Sequence, residues 1–394
     1  MRQYSHVVIV GAGASGMLCG GILAEAGISV TILEKNSVPG KKLAATGNGR
    51  CNYTNLEMDT GRYYGDSEWL GKLLAVYPPE KIIRQFQKIG VYHRERDGYV
   101  YPYTNQASTV TDALQHYCKC GMAEIVTDCK VSAVRTVRGQ AGYVVCTAQG
   151  EIRCRYLVLA AGGSASSELG GSGSGYKLAR SLGHTIHKTY PALTGLVCGG
   201  DWWKRVAGTR VQGRFSLRIN GKVIPGECGE IQIVKDGVSG IPVFQLCREA
   251  AAALDRGQSV EGIIDFVPPM EKEELCQWLS SYGISGLVQK KWIPVLQGFP
   301  ESWQTLKEFI FPVHKTFGME RAQVTMGGVP TEEVSVDTME SKVARHVYLM
   351  GELIDIDGKC GGYNLHFAWS CAMTAAEAIQ QVWKGDNNAA DISV

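Results

Sequence analysis

Glycine-rich turns carry the residues best placed to do chemistry. Gly11-Ala12-Gly13-Ala14-Ser15-Gly16 follows the β-branched run 6–10 and precedes an apolar helical stretch, 17–26, that Gly27 would cap. In such a turn Gly11 permits the bend, Gly13 lets backbone N–H groups reach a pyrophosphate, and Gly16 lets helix and strand pack closely. The helix opening near Ala14 and Ser15 points its positive end at the phosphates. A second strand, 28–33, runs into Glu34, 23 residues after Gly11, where a carboxylate can accept hydrogen bonds from an adenosine ribose. A lone glycine motif is weak, but a strand, turn, helix, strand and acid in this order predict a dinucleotide site.

Two further strand ends bear on which dinucleotide. The run 152–161 ends in Ala161-Gly162-Gly163, and the run 346–350 ends in Gly351-Glu352. One extended ligand crossing the sheet fits FAD, whose flavin lies far from its adenine. A separate NAD(P)H domain needs a second strand, glycine turn and helix. Gly171 to Gly175 is the contender, but no strand closely precedes it, so a loop beside the flavin is expected; NAD(P)H remains a candidate electron donor.

The elements that must position these turns fall into two textures. Residues 1–191 and 323–394 read as the two pieces of one α/β nucleotide-binding domain, including a helix at 107–120, strands at 123–134, 142–147 and 152–161, and a final helix at about 364–384. Between them, 192–322 reads as an insert, β-rich over 192–268 and helical over 269–322. The Asn220-Gly221 hairpin and strands at 229–234 and 260–267 predict a barrel-like sheet. Helices are expected at 271–282, 285–297 and 301–311.

Composition narrows the partners. The 394 residues are 45% hydrophobic and 20% charged, which excludes a disordered chain. Forty Lys plus Arg against 38 Asp plus Glu leave a net charge of +2. With no aromatic-plus-basic cluster evident, that argues against nucleic acid, and nothing points to a membrane. The apolar stretch 7–33 is broken by Glu25 and six glycines, so it reads as folded rather than as a signal. Thirteen scattered cysteines without a CxxC pair indicate reduced thiols and a cytoplasmic location. A small-molecule substrate is the expected partner; oligomeric state is left open.

Three longer blocks carry a resemblance: GNGRCNYTN at 47–55, AQVTMGGV at 322–329 and GELIDIDGKCGGYNLHFAWS at 351–370. With the N-terminal motif, they make the chain resemble the aminoacetone oxidase-like flavoproteins, which include BaiN-type proteins linked to bile-acid reduction. The resemblance implies a Rossmann-like, glutathione-reductase-type FAD domain interrupted by a β-barrel-like domain with a helical extension. It implies that Glu34 and Lys35 contact the adenosine end, with Lys42 along the following loop. Arg50, Cys51 and Asn52 would approach the flavin and pyrophosphate, and Val131 would offer backbone hydrogen bonds to adenine. Glu352 or Asp355 would meet the ribityl or phosphate region. Gly362, Tyr363 and Asn364 would present the N-terminus of the last helix to the flavin, where it stabilises developing negative charge. Residues 46–49 read Thr-Gly-Asn-Gly where the family has a Ser-Gly-Gly-Gly type of run; Asn48 tolerates the left-handed backbone this needs.

Other tempting residues have plainer readings. Cys51 and Cys360 lack the spacing of a redox dithiol. His116, Cys118 and Cys120, like His184 and His187, lack the spacing of a zinc site. His314, Tyr363, His366 and Trp369 are candidates for lining a substrate pocket, and Trp202-Trp203-Lys204-Arg205 is either a lid or an amphipathic turn. The resemblance implies an FAD-dependent oxidoreductase that reduces a carbon–carbon double bond in a hydrophobic, enone-like molecule. Alternatives are an oxidase of a small amine such as aminoacetone that releases peroxide, and a non-catalytic or tRNA-modification-associated FAD-binding protein.

Overall fold

The computed structural model describes residues 2–137, 142–299 and 303–391. The chain divides into two compact units, Met1–Thr189 with Thr325–Val394, and Tyr190–Val324.

In the first unit, the apolar runs assemble a seven-stranded sheet: β1 (Tyr4–Val10), β2 (Val30–Leu33), β3 (Glu124–Val126), β4 (Val131–Thr136), β5 (Tyr143–Thr147), β6 (Gly150–Leu159) and β7 (Val347–Leu349). The order β3-β2-β1-β6-β7 is parallel throughout. The first half of β6 also pairs antiparallel with β5, which pairs with β4. Val7, Val8, Ile9, Leu157, Val158, Val347 and Leu349 are fully buried, as a parallel sheet covered on both faces requires. Helix α1 (Ala14–Glu25) links β1 to β2 and packs against both the helix Ala107–Cys120 and the final helix, Tyr363–Asp391. The final helix runs past the expected limit near 384, and residues 392–394 lie outside the described residues.

The second unit is a closed six-stranded antiparallel barrel. Its circuit is Arg210–Ile219, Cys228–Val234, Gly237–Ser239, Leu196–Cys198, Phe309–Thr316 and Val260–Asp265, which pairs back onto Arg210–Ile219. The Asn220-Gly221 turn holds φ values of 48° and 82°, both positive as a tight hairpin requires. Two expected helices are corrected. At 285–297 only Lys290–Trp292 and Ile293–Leu296 are helical, the second with Pro294 in its first turn, where a missing N–H is tolerated. At 301–311 the helix is confined to Trp303–Lys307 within the described residues, and Phe309–Thr316 is a barrel strand. There Phe309, Phe311 and Val313 are buried while Ile310 and Pro312 are not, a two-residue period. Trp203 is not a lid: it is buried against Phe311 and Trp292, and its indole donates to the Gly199 carbonyl. Among the described residues no helix is long and apolar enough to cross a membrane.

Candidate cofactor site

The turn between β1 and α1 is built by what its glycines lack. A Cβ on Gly11, whose φ is +109°, would lie 2.5 Å from the Ala160 carbonyl oxygen at the end of β6. One on Gly16 would overlap the Gly11 carbonyl oxygen. Both glycines are therefore needed by the protein's own packing. Gly13 is different: a Cβ there would meet nothing within 4 Å. The space beside it is open, at the N-terminus of a largely buried helix whose first turn has no side-chain cap and no acidic residue. Uncapped N–H groups beside a cleared backbone form an anion cradle.

Glu34 closes the far side of this turn. It is buried, with Oε2 accepting from the Ala12 N–H at 2.9 Å and Oε1 accepting from the Asn36 N–H at 2.9 Å and from its amide at 2.7 Å. A carboxylate has about four acceptor sites, so capacity for ribose hydroxyls remains. The segment before Val131 lies alongside, with the Cys129 N–H donating to the Glu34 carbonyl at 2.8 Å and Val131 opening β4 two residues on. Lys35 turns its ammonium onto the Ser172 hydroxyl, which ties the loop 170–173 to the adenosine end of the site. That loop reaches the Glu34–Asn36 corner at Gly170 and the end of β6 at Gly175, where a Cβ would lie 3.0 Å from the Ala161 side chain.

A second focus joins residues distant in sequence. The Lys42 ammonium pairs with Glu352 Oε2 at 2.6 Å, and Glu352 Oε1 accepts from the Thr325 N–H at 2.8 Å. Thr325 Oγ1 in turn accepts from the N–H groups of Ser164 and Ala165, each at 2.9 Å, just beyond Ala161-Gly162-Gly163. Gly162 has φ +68° and open space where a Cβ would stand. Gly351 lies against Ser15. Of the two acids expected here, Glu352 takes the place beside Lys42. Asp355 instead pairs with His187 Nδ1 at 2.7 Å, in a cleft of about 260 Å³ lined also by Asp66, Thr331 and Glu332. Sequence reasoning passed over Thr325, although it stands inside the block AQVTMGGV.

A third focus surrounds the start of the final helix. Residues 47–49 turn through left-handed backbone, Asn48 at φ 55° and ψ 44° as expected, and Cys51 adds a positive φ of 57°. Asn52 Oδ1 is buried without a hydrogen-bond partner among the described residues, and a Cβ on Gly362 would lie 2.9 Å from it. Tyr363 is buried and its carbonyl accepts from the Tyr63 hydroxyl at 2.9 Å. Asn364 spends its side chain on the backbone of Gly358, so it shapes the turn before the helix. Arg50 is exposed, its guanidinium 5.9 Å from the ring centre of Tyr101. Burial pushes the Cys51 thiol up to about 12 and the Cys360 thiol up to about 11, so neither is poised as a thiolate. His366 and Trp369 do not line a pocket. Trp369 is buried and donates to the Tyr53 carbonyl, while His366 Nε2 lies 2.9 Å from the Tyr77 carbonyl and Nδ1 lies 2.7 Å from the Thr54 hydroxyl. Because Nε2 faces a carbonyl it carries the proton, and Nδ1 accepts from Thr54.

These features fit FAD. Gly11, Gly13, Ala14, Ser15 and Gly16 would hold its diphosphate, and Glu34 its adenosine ribose. The cleared backbone at Gly162 and the orphaned Asn52 carbonyl beside Gly362 leave space and an unmet acceptor for a polar ring system. At His184 the ring binds Glu333 and Ser341, and His116 lies 3.3 Å from Cys120; among the described residues no group of three or more such side chains is arranged to hold a metal.

One surface was missed in the sequence. Strands His93–Arg96 and Tyr99–Pro102 form a hairpin through Asp97-Gly98, with Arg94 opposite Tyr101 and Arg96 opposite Tyr99. Tyr92 and Tyr103 extend the ladder, with rings 5.6 Å apart. Cross-strand partners share a face, so aromatic and basic side chains that are scattered in the sequence become one cluster. Asp-Gly between alternating residues was the available signal.

Two outcomes test this geometry. Gly13→Ala leaves the cofactor-free protein's unfolding midpoint unchanged and weakens FAD binding about tenfold or more, about 1.4 kcal/mol. Gly16→Ala destabilises the cofactor-free protein itself, by roughly 1–3 kcal/mol; urea unfolding and FAD titration separate the two. Burial also holds the His366 imidazole well below its ordinary range, at about 4. The unfolded chain then binds the extra proton between about pH 6.5 and 4, so stability is full above that window and falls on acidification through it. Wild type accordingly loses its advantage over His366→Gln as pH falls from 7 to 5, read as convergence of their unfolding midpoints.

The chain matches known proteins along nearly its whole length. Residues 5–378 match the family described as HI0933-like protein Rossmann domain. A 3-dehydro-bile acid Δ(4,6)-reductase from Clostridium scindens is 35% identical over 96% of this chain and 99% of its own. A ribosomal RNA dihydrouridine synthase from Haemophilus influenzae is 27% identical over 97% of this chain and 100% of its own. In fold, the chain is similar to a 3-ketosteroid-Δ4-(5α)-dehydrogenase from Rhodococcus jostii RHA1, with a TM-score of 0.54 and 15% identity over 96% of this chain and 97% of that one. The chain belongs to the HI0933-like Rossmann-domain family and is an FAD-dependent oxidoreductase.

Proposed function

We propose that the protein is an NAD(P)H-linked reductase of a carbon–carbon double bond conjugated to a carbonyl, in a hydrophobic, enone-like substrate of bile-acid or steroid type. The observation that carries this reading is the 35% identity, over nearly the whole of both chains, to a reductase of that bond type. FAD, when bound, supplies hydride transfer, which is why no catalytic triad is required of the protein. The balance is one NAD(P)H and one proton consumed per double bond reduced.

The chain's own residues do the binding and the orienting. The α1 N-terminus and the cleared backbone at Gly13 take negative charge from the phosphates. Glu34 fixes the turn through Ala12 and would hold the ribose. Lys42, Glu352 and Thr325 lock the loop after β6 to the end of β7, and the His366–Thr54 bond fixes the segment that carries Asn52 against the final helix. The Asn52 carbonyl, orphaned among the described residues, would accept an N–H from a bound polar ring.

The rival is an amine oxidase, and reoxidation separates the two. Mixed with NAD(P)H without oxygen, the purified protein loses its yellow absorbance, and a steroid enone restores it. Bleaching by a small amine such as aminoacetone, with rapid peroxide formation in air and no response to NAD(P)H, overturns the reading.

A further inference from the structure

We propose that the outer face of the 92–103 hairpin is the docking site of the hydride donor, a nicotinamide adenine dinucleotide. Arg94 and Arg50 would take its diphosphate, and Tyr92 and Tyr103 its adenine. The proposal rests on the reading above that NAD(P)H supplies the electrons, and it names the surface that receives it. Such a donor needs a place of its own. The first glycine turn and Glu34 are committed to FAD, and the loop 170–175 lies against Asn36 and the end of β6, so it borders the same cofactor. No strand runs directly into that loop, since β6 ends at Leu159 and the loop's helix opens at Ser174.

Side chains alternate between faces along a strand, so Tyr92, Arg94 and Arg96 share one face, and Tyr99, Tyr101 and Tyr103 join them from the other strand. Three rungs result: Tyr92 with Tyr103, Arg94 with Tyr101, and Arg96 with Tyr99. Val100 and Pro102, on the opposite face, are buried and hold the hairpin to the body of its unit. Tyr92 and Tyr103 are 65% and 64% exposed, a paired aromatic surface that the fold itself leaves uncovered. The charge on this face is positive. Arg94 stands across from Tyr101 and has no ion-pair partner among the described residues. Arg50 is exposed, with its guanidinium 5.9 Å from the centre of the same ring. The neighbouring acids are engaged elsewhere. Asp97 faces Arg96 at 3.5 Å, Glu95 accepts from the Gly98 N–H at 3.2 Å, and Glu57 pairs with Arg62 at 2.9 Å.

This arrangement matches one extended dinucleotide. Rungs two residues apart are spaced about 6.8 Å, so three rungs cover roughly 14 Å, comparable to the reach from adenine to nicotinamide. The two guanidiniums at the middle rung suit a diphosphate, which accepts charge-assisted, bidentate hydrogen bonds. The phenol rings at the outer rung offer stacking faces to adenine. The inner rung leads to the cofactor site. A Cβ on Gly361 would lie 3.3 Å from the Tyr99 ring, and Gly361 stands two residues before Tyr363, where the final helix opens. An adenine held at Tyr92 and Tyr103 therefore leaves the nicotinamide at the Tyr99 end, toward Asn52 and Gly362. There the nicotinamide gives up one hydride and leaves as NAD(P)+, and that hydride with one proton from solvent reduces the bound FAD.

The test uses the full-length, FAD-loaded protein, mixed without oxygen with NADH and, separately, with NADPH. Stopped-flow absorbance reads the donor's half-saturation apart from the limiting rate of bleaching. Arg94→Gln raises the half-saturating concentration about tenfold and makes it less sensitive to salt, with the limiting rate close to that of wild type. Tyr103→Ala raises it roughly 5- to 100-fold, whereas Tyr103→Phe, which keeps the ring, behaves as wild type does. ADP-ribose, which has the adenosine and diphosphate but no nicotinamide, binds wild type in a calorimeter and is weakened by the same factors in the same variants. FAD released on denaturation verifies that each variant is folded and loaded. Bleaching by NAD(P)H with half-saturation unchanged in Arg94→Gln and Tyr103→Ala overturns the docking site alone and leaves the reading beneath it standing. Absence of bleaching by either donor overturns both.

Discussion

The site depends on one close approach of backbone to backbone. Gly11 packs on the end of β6 and Gly16 packs on Gly11, and neither place has room for a methyl group. This contact brings α1 so near the sheet that its first N–H groups open onto the strand ends, and it leaves the position beside Gly13 empty of protein. Other features of the site matter because they border that opening. Glu34 holds Ala12 from one side, and Gly351 abuts Ser15 from the other.

Two polar links then bring distant chain to the same place. Lys42 and Glu352 stand 310 positions apart in sequence, and their ion pair, with Thr325, joins the loop after β6 to the end of β7. The pair is partly exposed, so its value lies in position more than in stability. His366 makes the second link, and it is wholly buried. Its two ring nitrogens are spent on Thr54 and Tyr77, 312 and 289 positions away. A buried imidazole with both nitrogens satisfied fixes its surroundings more firmly than a surface ion pair.

What the sequence disclosed was local. β1, the glycine turn, α1, β2 and Glu34 follow one another without interruption, and hydrophobic period plus glycine spacing locate them. The left-handed Asn48 and the Asn220-Gly221 turn were legible for the same reason. The Lys42–Glu352 pair was not, because nothing local marks which lysine meets which acid. Glu352 was separable from Asp355 only once His187 was seen to hold the latter. The strand Phe309–Thr316 was mistaken for helix because its neighbours are charged, although its aromatic residues alternate. The hairpin 92–103 escaped notice because counting charge along a chain hides faces: Arg94 and Arg96 are interleaved with Glu95 and Asp97 in sequence but separated from Glu95 by the pleat.

The account requires that the opening at Gly13 belongs to a cofactor. The most direct measurement is the amount of FAD released when the purified protein, after incubation with excess FAD and desalting, is denatured. One FAD per chain is the predicted result. Protein that emerges colourless and releases none contradicts the account, because the uncapped helix, the cleared backbone and the orphaned Asn52 carbonyl would then have no ligand to serve.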